Sequence, residues 1–231
     1  MWLTRHSSES YTPLYLLASL GAGGMAVAVY LHLMFLTPHP VTPVPTLDSL
    51  SVFWRDAGFW ERIGVGTAWS VTLVLALIHV VLLLWNVRAY KQFKATADFE
   101  TLVRSNATFQ RMAWPLTLAM ALNAGFVAAL LTIPGLWSII EFIYPWAIAA
   151  FLAIGIAALK MQASILGEQL TQGGFACEKN NNLGMMMSPF ALAMIAVGFS
   201  GPAAMSGATP TILVAAALCI AFFVMAVLSS L

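Results

Sequence analysis

The chain has 231 residues, of which 61% are apolar and only 8% charged, with a formal net charge of +1 and a mean hydropathy of +0.87. A water-soluble domain averages roughly 25% charged residues, so this composition excludes a solvated globular surface. The near-zero net charge also leaves no basic surplus for binding nucleic acid.

Six apolar stretches follow one another along the chain, at approximately 14–36, 64–87, 112–133, 136–159, 183–205 and 210–231. Each has the ~20 residues that a helix needs to cross the hydrocarbon core. Backbone groups in lipid must be satisfied internally, which selects helices. Only Glu141, close to one end of its stretch, brings a formal charge into them. The expectation is therefore an all-α integral membrane protein, a single transmembrane domain over 1–231, with its spans arranged as antiparallel hairpins. The first stretch is too long for the ~7–15-residue core of a cleaved signal and follows polar Ser7, Ser8, Glu9 and Ser10, so it reads as a retained span.

In the first connection, Pro38, Pro40, Pro43 and Pro45 impose extended backbone. Trp54, Phe59 and Trp60 then suit the headgroup level, which predicts a surface helix over 49–60. The second span should continue as a helix into the polar segment 88–111. Connections around Pro134-Gly135 and Ser206-Gly207 are short enough to force antiparallel pairs. Lysine and arginine are divided unequally between the sides: eight (Arg5, Arg88, Lys91, Lys94, Arg104, Arg111, Lys160, Lys179) against two (Arg55, Arg62). By the positive-inside rule both chain ends are expected in the cytoplasm.

Within the membrane, small residues recur at packing intervals, as Ala18, Ala22 and Ala26 in the first span and Ala149, Ala153 and Ala157 in the fourth. Pro115, Pro189 and Pro202 should each free a backbone carbonyl and bend a span. Asn123 places an amide near the middle of the third span, where it needs an interhelical partner or faces a conduit. Phe126 and Phe199, beside Gly125 and Gly198, are either core rings or plugs. His32 and His79 differ in expected depth by about 10 Å, too far to share one haem iron. Cys177, expected in a loop, and Cys219, in the last span, form neither a disulfide framework nor a metal site. With no nucleotide loop, nucleophile elbow or zinc-protease motif, the chain reads as a non-enzyme without cofactor or metal.

Three stretches carry a family likeness: Leu14 to Gly21 in the glycine-rich first span; Trp85 to Phe93, where the second span turns basic and aromatic; and Gln169 to Phe175 leading to Ser188-Pro189-Phe190. In layout the chain resembles the tellurite-resistance/dicarboxylate transporter family, which includes the slow anion channels. The resemblance implies helical hairpins around a quasi-fivefold pore, odd-numbered spans as its lining, and trimeric assembly. Gly21, Gly24, Pro115, Asn123, Phe126, Pro189 and Phe199 would then be pore-lining. Family members have ten spans against six here, so no gate residue is carried over. A longer chain, further copies or partner subunits would complete the ring. The function expected from this likeness is passive flux of a small inorganic or organic anion across a bacterial cytoplasmic membrane. The alternative is a non-catalytic anchor or assembly subunit of a larger complex.

Overall fold

The computed structural model describes residues 11–172 and 182–230. Every regular element among them is helical, and six helices are long and apolar enough to span a bilayer. The chain is an all-α integral membrane protein. Cys177 and Lys179 lie outside the described residues.

A 3₁₀ turn, Pro13–Tyr15, leads into α1 (Leu16–Leu36). Thr37 ends α1 in extended backbone, with its hydroxyl donating back to Leu33 O at 2.7 Å. After the proline run, α2 (Leu47–Asp56) starts at a reciprocal cap between Thr46 and Ser49. It turns Leu50 inward and leaves Val52 and Trp54 exposed, as an interfacial helix does. The surface helix is thus shorter than its sequence suggested. Gly58 breaks the chain before Phe59, and Phe59 and Trp60 open the next span.

That span, α3 (Phe59–Phe93), has 35 residues and so runs about 50 Å, well beyond the hydrocarbon. Its extension ends at Phe93 instead of continuing to Arg111. Lys94 to Thr96 turn the chain into a short α4 (Ala97–Val103), and a 3₁₀ segment, Asn106–Met112, follows. The third span, α5 (Ala113–Thr132), has Pro115 as its third residue, within the first turn, where proline is tolerated. The fourth, α6 (Ile140–Gln172), extends thirteen residues past its predicted end at 159, and Glu168 to Gln172 are helical. α7 (Asn182–Met205) keeps Pro189 and Pro202 inside one helix, and α8 (Thr209–Leu228) completes the set.

Two carboxylates close the hairpins. Gly135, the one described residue with positive φ (69°), turns α5 into α6, and its N–H donates to Asp48 Oδ2 at 2.8 Å. Between α7 and α8, Glu141 accepts from Ser206 Oγ at 2.7 Å and Gly207 N at 2.6 Å. Glu141 reads in sequence as a solvated helix end. In the fold it ties α6 to the neighbouring hairpin.

The spans form an inner and an outer set. α1 packs on α3 and α5, α5 on α7, and α7 on α6 and α8. About half of the apolar window is buried in α5 (50%) and α7 (56%), against 17%, 22% and 17% in α3, α6 and α8. α1 is intermediate at 28%, so α5 and α7, the third and fifth spans, make the core. The buried stripe of α1 is Ser19, Gly23, Ala26, Tyr30 and Leu33, with Ala18 turned outward. On α6 it is Phe151, Gly155, Ala158 and Ile165, while Ala149, Ala153 and Ala157 face outward. The α6 alanine series is not the main contact face within the chain, and of the α1 series only Ala26 lies on the buried stripe. Ring size and hydrogen bonding selected other faces.

Candidate functional site

The bundle has two unlike ends. The basic end carries α4 and the 3₁₀ segment; the proline end carries the 37–58, 133–139 and 206–208 connections. At the basic end polar groups are paired across helices. Tyr11 donates its hydroxyl to Asn86 Oδ1 at 2.9 Å, and the Asn86 amide donates to Leu82 O at 2.9 Å and Tyr15 O at 3.4 Å. Tyr15, Trp85, Tyr90 and Phe93 surround Tyr11 with ring centroids 5.4–6.2 Å away. Burial, with Tyr90 beside it, raises the Tyr11 phenol above its ordinary range, so it remains a donor at neutral pH.

One level deeper, His79 is fully enclosed. Its Nδ1 lies 2.7 Å from Ser19 O, while Ser19 Oγ donates to His79 O at 3.0 Å. Since a carbonyl only accepts, Nδ1 carries the proton in this contact. Gly23 permits the approach, because a methyl group on it would lie 2.6 Å from His79 Nδ1 and 2.8 Å from Met120 Cγ. His32, by contrast, is exposed and bonds only Ala28 O in its own helix.

At mid-depth three phenylalanines lock α6, α7 and α8 together. Phe199 is wholly buried, 5.9 Å from Phe151 and 5.6 Å from Phe222 between ring centroids. The Phe151 ring sits on Gly198 and the Phe222 ring on Gly155; a side chain at either glycine would overlap the ring. Phe199 is thus the middle of a three-ring stack, a role that its own sequence neighbourhood does not reveal.

Beside this stack, with Phe151 and Gly198 in its wall, α1, α5, α6 and α7 separate around a cavity of about 550 Å³. No charged side chain lines it. Asn123, Ser200, Tyr30 and Tyr144 are its lining residues with polar side chains, the Tyr30 hydroxyl being bonded to Pro45 O and the Tyr144 hydroxyl enclosed, and Phe126, Trp146 and Phe151 supply aromatic wall. Asn123 gives one amide hydrogen to Ala119 O of its own helix at 3.1 Å. Its other hydrogen and its Oδ1 remain for the cavity. Tyr144 is 1% exposed, and its hydroxyl has no hydrogen-bond partner. Leu31, Trp146 and Val197 line the cavity and are also exposed on the flank of the bundle, by 48%, 78% and 55%. The cavity therefore opens sideways, toward lipid.

Of the sequence-predicted site residues, Asn123 and Phe126 meet at this cavity. Gly24 lies against Met120 Cε, and Gly21 points to open space. Pro115 and Pro189 are buried in the bundle, and Phe199 lies in the stack beside the cavity. Tyr144 and Trp146 were not singled out from the sequence. Their signal was visible as two polar-tipped aromatics flanking Pro145 in an otherwise apolar span. Fold and cavity together define a polytopic helical membrane protein with a lipid-accessible internal site. No protein-family profile, curated protein or solved structure matches the chain.

Proposed function

We propose that the protein is a membrane transport subunit that passes a small anion passively across a bacterial cytoplasmic membrane, with both chain ends in the cytoplasm. The observation that carries this reading is Asn123 at the wall of an uncharged cavity between α1, α5, α6 and α7, in keeping with the pore-lining role that the resemblance to the slow-anion-channel family implies for it. An uncharged route of amide and hydroxyl dipoles would hold an anion weakly, and weak binding is what conduction requires. Phe151, Phe199 and Phe222 would be the closed point of that route. Further copies of the chain, a trimer by resemblance, or partner subunits would enclose the open side.

Anion flux through purified protein in proteoliposomes tests this, with chloride and nitrate. Phe199→Ala should raise flux by opening the ring stack, and Asn123→Leu should lower it by removing the amide from the wall. Absence of flux from correctly folded wild-type and Phe199→Ala protein would refute the transport reading. The second reading, a non-catalytic assembly subunit, is favoured by the dense ring stack that locks α6, α7 and α8 together. Co-purification with a different polypeptide in fixed ratio would support it over a homo-oligomer.

A further inference from the structure

We infer that the basic end of α3 is a docking site for an anionic phospholipid, with Arg88 and Lys91 holding the headgroup phosphate and the exposed apolar strip beside them receiving the acyl chains. The inference goes beyond both functional readings and depends on neither.

Depth comes first. The Asn86 amide donates to Tyr15 O at 3.4 Å, so α3 at Asn86 is level with the start of α1 at Leu16. α1 has 21 residues, about 30 Å of helix, which matches the thickness of the hydrocarbon. Arg88 and Lys91 lie further along α3, past Asn86. At 1.5 Å per residue they stand roughly 3 and 8 Å beyond that boundary, at the level of the headgroups.

Direction comes next. Val74, Leu77, Val81 and Leu84 are exposed along one face of α3. Helical steps continue that face to Arg88 and Lys91, which are exposed too. The lipid-facing stripe thus changes from apolar to cationic where the hydrocarbon ends. Residues three apart on a helix have Cβ atoms about 5–6 Å from each other, so a guanidinium and an ammonium can hold one phosphate between them.

Charge commits the occupant. Neither Arg88 nor Lys91 has a hydrogen bond or ion pair with another described residue. The nearest cation along the helix, Lys94, lies instead over the Tyr90 ring, 5.9 Å from its centroid. α3 has no acidic residue beyond Glu61, at its opposite end. The other outer helices lack such a pair: α6 brings Lys160 and Glu168 to the basic end, and α8 carries no charge. Two uncompensated cations favour a lipid of net negative charge over a zwitterionic one, by about fivefold for each cation. The apolar strip favours a lipid over free phosphate, which has no chains to lay on it.

The test titrates the full chain in mild detergent with phosphatidylglycerol and, separately, with phosphatidylcholine of the same acyl chains. Bound lipids are counted by native mass spectrometry. The first phosphatidylglycerol should bind about twentyfold more tightly than phosphatidylcholine. Arg88→Gln and Lys91→Gln should each lower that preference about fivefold. Together they should abolish it and leave phosphatidylcholine binding unchanged, which controls for folding. Exchanging the two cations, Arg88→Lys with Lys91→Arg, should keep the preference, and so should Lys160→Gln. Equal affinity of the unaltered chain for the two lipids would overturn the inference, as would a preference that survives in the double glutamine variant. Displacement of the bound lipid by glycerol phosphate, the headgroup without chains, would also overturn it, by reassigning the pair to a free phosphate.

Discussion

Two asparagines separate the halves of this bundle. Asn86, at the basic end, is fully buried and bonds across helices to Tyr11 and Tyr15. Asn123, at the cavity, bonds only its own helix, and part of its amide faces open volume. The same side chain in the same apolar setting is a structural tie in one half and an unspent polar group in the other. The glycines repeat the contrast. Gly23 is pressed between His79 and Met120, whereas Gly125 on the cavity wall has nothing within 4 Å of a would-be side chain. Asn86 and Gly23 are consumed by packing, whereas Asn123 and Gly125 border open volume.

Graded substitutions would break or sharpen this contrast, each read as the free energy of unfolding in SDS. Gly198→Ala should have the largest effect, a loss of about 3 kcal/mol, because the new methyl overlaps the buried Phe151 ring and the ring stack cannot yield easily. Pairing it with Phe151→Leu should recover much of that loss; no recovery would mean that the glycine matters for another reason. Gly23→Ala should cost about 2 kcal/mol, somewhat less, since Met120 is a flexible neighbour even though His79 is not.

Asn86→Leu should cost about 1 kcal/mol, the scale of polar ties between membrane helices, and Tyr11→Phe should reproduce part of it by removing the partner. At the other end Asn123→Leu should change stability by less than about 0.5 kcal/mol, since only a bond within one helix is lost. Gly125→Ala should be neutral or slightly stabilising, by up to about 1 kcal/mol, through helix propensity alone. If Asn123→Leu proved as costly as Asn86→Leu, the amide would be structural and the cavity reading would fail.

Much of this was legible in the sequence. Span number and placement followed from apolar runs alone, because a bilayer sets the length of a helix independently of its neighbours. Loop composition announced the short hairpins and the interfacial α2. Boundaries were less legible where polar and apolar residues mix: α6 runs on to Gln172 as helix, and α3 stops at Phe93 because the next residues cap and turn. Site residues were least legible. Asn123 stood out as a lone amide, but Asn86 and Tyr144 carry equal polarity and received opposite fates.

What the sequence by itself determined is the solvent and therefore the architecture: a sparsely charged, apolar chain of this pattern must be a set of membrane helices. Only the tertiary structure decided which face of each helix meets which neighbour. Lipid and protein interior are alike in polarity, so hydrophobic pattern cannot distinguish an inward face from an outward one. Shape decides it instead, through Phe151 on Gly198, Phe222 on Gly155 and His79 against Gly23. Beside the Phe151–Gly198 fit, α1, α5, α6 and α7 part and leave a cavity between them.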